Sequence, residues 1–122
     1  MEGSSALDRY LYAISILEEK YLCVRSVDLA HFLRCSRASV SAAVRDMAKR
    51  GWACMGENGA LTLTNQGRER AKAQRQRISF FESILLRAGI ETDIARDEAF
   101  AVSKAISDGS FQALQRYMKE KF

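Results

Sequence analysis

The sequence predicts a mainly α fold with one small β-hairpin. Three observations carry that prediction. Proline is absent from all 122 residues, so no imino acid interrupts long helices. Apolar residues recur at three- and four-residue steps through most of the chain, the period of an amphipathic helix. One stretch breaks that period: Trp52-Ala53-Cys54-Met55, then Gly56-Glu57-Asn58-Gly59, then Ala60-Leu61-Thr62-Leu63. Two short apolar or alternating runs around a glycine-rich turn read as a hairpin.

The elements follow in order. Ser4 or Ser5 caps a first helix whose apolar set is Leu7, Tyr10, Leu11, Ile14, Leu17 and Tyr21. The run Tyr21 to Val24 ends it. Ser26 caps a second helix, with Val27, Leu29, Ala30 and Leu33 facing inward. Arg34-Cys35-Ser36 is a three-residue break, and Ser36 caps a third helix to Arg50 with Val40, Val44 and Met47 buried. Gly51 ends that helix in the left-handed conformation. Two helices, a tight turn and a helix opening with small polar residues form a helix-turn-helix layout. The hairpin directly after it is a wing. Thr64 caps a long fourth helix through Ala71, Gln74, Ile78, Phe81 and Leu85, ending at Gly89. Thr92 and Asp93 start a fifth helix carrying Ile94, Ala99, Val102 and Ile106. Asp108-Gly109-Ser110 separates it from a sixth with Phe111, Leu114 and Met118. The expected organisation is a winged helix-turn-helix DNA-binding domain over residues 1–67 and a helical dimerisation domain over residues 68–122.

Composition bounds the function. A chain with 48% apolar and 28% charged residues is globular. No apolar run approaches the roughly 18 residues of a membrane span. The Met-Glu-Gly-Ser-Ser start lacks the pattern of a signal peptide. Three cysteines, Cys23, Cys35 and Cys54, at irregular spacing in apolar settings fit neither a disulfide scaffold nor a zinc or iron–sulfur site. A reducing cytoplasm is the expected setting. One histidine, His31, and no visible nucleophile–base pair or phosphate loop argue against an enzyme.

The charge is unevenly placed. Residues 1–77 hold 13 Lys/Arg and 8 Asp/Glu, a net of +5; residues 78–122 hold 6 and 7, a net of −1. Ten of those thirteen cations are arginine, which favours phosphate and base contacts. They cluster as Arg34, Arg37, Arg45, Lys49 and Arg50, and as Arg68, Arg70, Lys72, Arg75 and Arg77. A basic lobe joined to a neutral one points to double-stranded DNA as partner. With Val40, Val44 and Met47 inside, the third helix turns Arg37, Ala38, Ser41, Ala42 and Arg45 outward. Small residues let such a helix approach base edges, and Arg37 and Arg45 reach guanine O6 and N7 as forks. Ala38 or Ala42 packs on a thymine methyl. Ser36 and Ser39 donate to phosphate at the helix N-terminus. Arg25, Asn58 in the wing turn, Arg68 and Arg70 are further expected contacts. About 6–10 phosphate contacts per dimer weaken binding by about three to five decades from low to moderate salt.

These residues resemble a known family. Val24-Arg25-Ser26-Val27-Asp28-Leu29-Ala30, Cys35-Ser36-Arg37-Ala38-Ser39-Val40-Ser41, Lys49-Arg50-Gly51 and Leu61-Thr62-Leu63-Thr64-Asn65-Gln66-Gly67 look like the diphtheria-toxin-repressor family. The manganese transport regulator branch, which lacks a third SH3-like domain, is the closest in length. The likeness continues through Phe81-Glu82-Ser83-Ile84-Leu85, Gly89 and Ser107. It implies a dimeric repressor activated by Mn²⁺ or Fe²⁺ held between the first, fourth and fifth helices. It also implies ligand positions, and most are changed here. Asp8 and Glu82 match the family's carboxylates. The other ligand positions hold Leu11, Ile78, Arg96, Phe100, Ser103 and Lys104. Two carboxylates make no tight transition-metal site, so no cofactor is expected, and the regulator is expected to be metal-independent. Arg96 and Lys104 are cations placed to pair with Glu82 or Asp8 in the metal's stead.

Dimerisation is expected from the apolar load of the second half, which includes Phe80, Phe81, Ile84, Leu85, Leu86, Ile90, Phe100, Phe111, Leu114, Tyr117, Met118 and Phe122. One small lobe hardly buries all of them. The leading expectation is therefore a homodimeric, sequence-specific transcriptional repressor, with an unidentified small-molecule effector as a further partner. The alternatives are a winged-helix protein-interaction module, or a small-ligand or redox-responsive regulator of MarR-like type with Cys35 as its first candidate thiol.

Overall fold

The computed structural model describes residues 2–121, with side chains from residue 6 onward. These residues form α1 (Glu2–Leu17), α2 (Ser26–Leu33), α3 (Arg37–Lys49), β1 (Ala53–Met55), β2 (Leu61–Leu63), α4 (Asn65–Arg87), α5 (Thr92–Ala105) and α6 (Asp108–Lys121). The chain divides into two compact units, Met1–Ala73 and Gln74–Phe122, with the boundary inside α4. Helix α1 starts at Glu2, so Ser4 and Ser5 lie within it and not at its cap. Phe122 lies outside the described residues.

The first unit is built around Leu11, Ile14, Leu29, Val40 and Met47, all fully buried, with Leu7, Leu17, Val44, Leu61 and Leu63 beside them. The three-four spacing on α1 and α3 supplies this stripe. Two expected inward residues face outward: Tyr21, which lies beyond the end of α1, and Val27 on α2. Helix α2 is capped one residue earlier than expected. Arg25 holds the extended cap conformation, and Asp28 Oδ2 accepts from its N–H at 2.8 Å, so Ser26 is already helical.

Arg34 closes α2 at φ 55°, the left-handed region, and Cys35 N donates to Ala30 O at 3.1 Å. That pairing reverses the chain within three residues. Ser36 then accepts from Ser39 N at 3.1 Å and caps α3. At the far end of α3, Gly51 takes φ 77° and Trp52 N donates to Met47 O at 2.9 Å.

The wing is an antiparallel pair with Ala53 opposite Leu63, Cys54 opposite Thr62 and Met55 opposite Leu61. Leu61 N also donates to Val24 O at 2.7 Å, so the segment before α2 pairs with β2 on the side away from β1. Thr64 ties the wing to α4. Its hydroxyl donates to Gly51 O at 2.6 Å and accepts from Gly67 N at 3.1 Å. Gly67 packs so tightly that a Cβ there would sit 1.9 Å from Trp52 O.

In the second unit, α4 ends with Gly89 at φ 91° and Ile90 N donating to Leu85 O at 3.0 Å. Glu91, one residue before the expected start, caps α5 by accepting from Asp93 N at 3.0 Å. Asp108-Gly109-Ser110 is the first turn of α6 and not a separator; Ser107 caps it by accepting from Ser110 N at 3.1 Å. The buried face of α5 is Ala95, Ala99, Phe100 and Ser103, so Ile94 and Val102 point to solvent. Arg77 locks the α5–α6 corner. It donates to Ser103 O at 3.0 and 2.6 Å, to Ile106 O, and to Asp108 Oδ1 at 2.6 Å.

Candidate nucleic-acid interface

Every residue expected on the reading face of α3 is exposed: Ser36, Arg37, Ala38, Ser39, Ser41, Ala42 and Arg45. The row Arg37, Ser41, Arg45, Lys49 advances by one turn at each step and keeps one side of the helix. Val40, Val44 and Met47 hold the opposite side in the core. Among the described residues, Arg37 and Arg45 form no ion pair and no side-chain hydrogen bond. Asp46 is engaged by Arg50 at 3.3 Å. The face thus carries uncompensated guanidinium groups separated by alanine and serine.

The wing turn joins the α2 start. Arg25 Nε donates to Asn58 O at 3.2 Å, and Asn58 Oδ1 accepts from Ala60 N at 3.2 Å. Two expected contact residues from distant parts of the sequence therefore stand side by side, both exposed.

The second basic cluster has a different role. Arg68 donates to both Glu18 oxygens, at 2.9 and 3.3 Å. That hydrogen bond first, and the carboxylate charge second, raise its pKa above the ordinary guanidinium value. Arg70 lies on Asp8, at 2.5 and 3.3 Å, and stacks 4.5 Å from the Trp52 ring centre. Arg77 is nearly buried. Arg70, expected as a phosphate contact, is engaged by Asp8, and Arg77 by the α5–α6 corner.

The three thiols are free among the described residues. Cys54 is exposed on the wing, a departure from the apolar setting expected for it. Cys35 is half-buried, with Tyr10 Oη 4.0 Å from its sulfur. Burial first, then Cys35, push the Tyr10 phenol above its usual range. The phenol is therefore protonated at neutral pH.

The positions that the family resemblance marks for metal are filled as follows. Asp8 is buried and bound by Arg70 through both oxygens. Ile78 is fully buried, and so is nearly all of Phe100. Ser103 Oγ is turned back onto Phe100 O at 2.8 Å. Arg96 Nε lies 3.8 Å from Glu82 Oε2, and Lys104 Nζ lies 5.1 Å from the Phe100 ring centre. No group of three or more His, Cys, Asp or Glu side chains converges among the described residues. A manganese ion asks for several hard oxygen or imidazole ligands. The side chains present do not fit one.

Sequence reasoning missed the Asp8–Arg70 pair. Both residues were visible, but no spacing rule links α1 to the start of α4. The one usable signal was an acidic residue in an otherwise apolar helix face, which requires a cation.

No profile of a known protein family matches the chain. Individual relatives do match. The transcriptional regulator MntR of Escherichia coli is 27% identical over 114 residues, 93% of this chain and 74% of that protein. MntR of Salmonella typhimurium is 27% identical over the same share of this chain and 73% of its own length. A solved manganese-dependent transcriptional repressor in complex with manganese shares 28% identity at a TM-score of 0.80, over 93% of this chain and 52% of that one. The manganese regulator SloR has the same TM-score at 19% identity, a likeness of fold. The chain spans about half the length of these solved structures and about three quarters of the MntR sequences. The manganese dependence in the relatives' names runs against the metal independence expected from the ligand positions. These relatives are transcriptional regulators and not enzymes. Along nearly its whole length the chain is similar in sequence to the MntR transcriptional regulators and in fold to the solved manganese-dependent repressor.

Proposed function

We propose that the chain is a sequence-specific DNA-binding transcriptional regulator, a repressor acting as a homodimer, whose metal site has degenerated. The observation that carries this reading is the α3 face. Two unpaired arginines, Arg37 and Arg45, flank small residues on a helix anchored by its opposite side. A groove about 12 Å wide admits such a helix, and an arginine fork reads guanine. Arg25 and Asn58 beside the wing add a backbone contact. Arg68, although exposed, has its charge balanced by Glu18 and contributes less.

Homodimerisation is supported by apolar residues left in solvent on the second unit: Leu86, Ile94, Val102, Leu114 and Tyr117. Burial of this surface against a second copy removes its hydration cost. A dimer carries two α3 helices, as an operator with two half-sites requires.

The degenerate metal site is supported by the two arginine–carboxylate pairs. Arg70 on Asp8 and Arg96 near Glu82 each bring positive charge to a carboxylate that the family resemblance assigns to a metal. Lys104, over the Phe100 ring, adds a second cation on the helix that carries Arg96.

The test is fluorescence anisotropy of the chain on duplex DNA taken from upstream of its own gene. Binding should weaken steeply with salt. Arg37→Ala and Arg45→Ala should each cost about 1–3 kcal/mol on the preferred sequence and little on random duplex. Equal, salt-insensitive binding to both duplexes would refute the reading.

A further inference from the structure

The second unit carries a groove of about 610 Å³ between the last turns of α4 and α6. Its floor is Phe80, Ile84 and Met118, all half-buried. Phe80 is fixed edge-on against Phe81 and Phe111, with ring centres 5.1 and 5.4 Å away. Its rim holds Arg87, Arg116 and Lys119, and no acidic residue lines it. Among the described residues none of these three cations forms an ion pair or side-chain hydrogen bond. Arg87 and Lys119 sit in the last turns of their helices, where the helix dipole welcomes a cation. Arg116 sits earlier on α6 and has no such reason to be there.

We infer that this groove binds a free small organic anion with an apolar body. Its volume lies within the usual range for small-molecule sites, about 300–1,000 Å³. The chemistry of the walls selects the class. An alkyl or aryl body covers Phe80, Ile84 and Met118. A carboxylate or sulfonate then meets Arg87 and Arg116, whose forks take two oxygens at once. Gln112 and Gln115, also on the wall, offer amide donors to the same head. A cationic or neutral amphiphile of the same length leaves the three rim charges unanswered. This inference does not rest on DNA binding, because the groove belongs to the second unit alone.

The experiment is isothermal calorimetry of the full chain with three probes of one chain length, each below its micelle concentration. They are dodecanoate, dodecanol and dodecyltrimethylammonium. Dodecanoate should bind at one site per chain and the other two should not. R87Q/R116Q should weaken dodecanoate about tenfold, the loss expected for charged hydrogen bonds. K72Q, on the first unit, should leave it unchanged. Circular dichroism confirms that each variant is folded. I84N, which keeps the rim charges and spoils the floor, should also weaken binding. Equal binding of dodecanol overturns the inference, as does an unaffected R87Q/R116Q variant. So does binding to phosphatidylglycerol vesicles without binding of free dodecanoate, since the surface then recognises a membrane. A change of oligomeric state in R87Q/R116Q with no binding of any probe marks the groove as a contact between copies, and also overturns it.

Discussion

Asp8 shows what a single position contributes. On α1 it is buried, and a buried carboxylate needs a partner. In this chain the partner is Arg70, which is itself braced against Trp52. The pair therefore belongs to the stability of the first unit. Asp8→Asn should lower the unfolding free energy by about 1–2 kcal/mol, a figure reduced because Arg70 is partly exposed. Urea unfolding with and without manganese measures it. The loss should be the same in both; a loss seen only with manganese present contradicts this account. The pair was hidden in the sequence because its partners are 62 residues apart. Arg34 was hidden for another reason. Its left-handed backbone follows from the short connection between α2 and α3, and no side-chain preference announces it.

Elements were more legible than their ends. The three-four spacing marked each helix, and glycines at Gly51 and Gly89 marked two of the stops. Caps were less readable. Arg25 serves where Ser26 was expected, because Asp28 supplies the acceptor, and Glu91 caps α5, whose start at Thr92 was legible. Faces failed where tertiary packing decided them. Of the apolar set that marked α5, Ala99 is buried, whereas Ile94 and Val102 are exposed and Ala95, Phe100 and Ser103 complete the buried face. Two joints between elements yield predictions. Gly67 lets the wing's Trp52 carbonyl rest on α4, so Gly67→Ala should destabilise by about 3 kcal/mol through overpacking. A thermal melt checks it, and an unchanged midpoint refutes it. Arg77 satisfies the carbonyls of Ser103 and Ile106 at the α5–α6 corner. Arg77→Met keeps the stem and leaves those acceptors without the charge. The cost should be about 2 kcal/mol in chemical denaturation.

At the scale of the whole chain, the uneven charge gave the first indication of division of labour. The net of +5 over residues 1–77 pointed to an anion-binding lobe; over the first unit itself, residues 1–73, 11 Lys/Arg against 8 Asp/Glu leave +3. The structure refines that reading. Among the described residues Arg37 and Arg45 on α3 have no ionic partner, whereas Arg68, Arg70 and Arg77 are engaged by Glu18, Asp8 and the α5–α6 corner. The family likeness was legible from the helix-turn-helix and wing residues. The proposed loss of the metal site was legible only residue by residue, at the positions that the family resemblance marks for ligands and that hold Leu11, Ile78, Phe100, Ser103 and Lys104 here. The central claim is a DNA-reading face that operates without a manganese site. The measurement that tests it most directly is DNA affinity of the chelator-treated full chain across a salt series, repeated with added manganese. Binding in chelator should be sequence-selective and steeply salt-dependent, with affinity unchanged by manganese. Selective binding that appears only when manganese is added would contradict it.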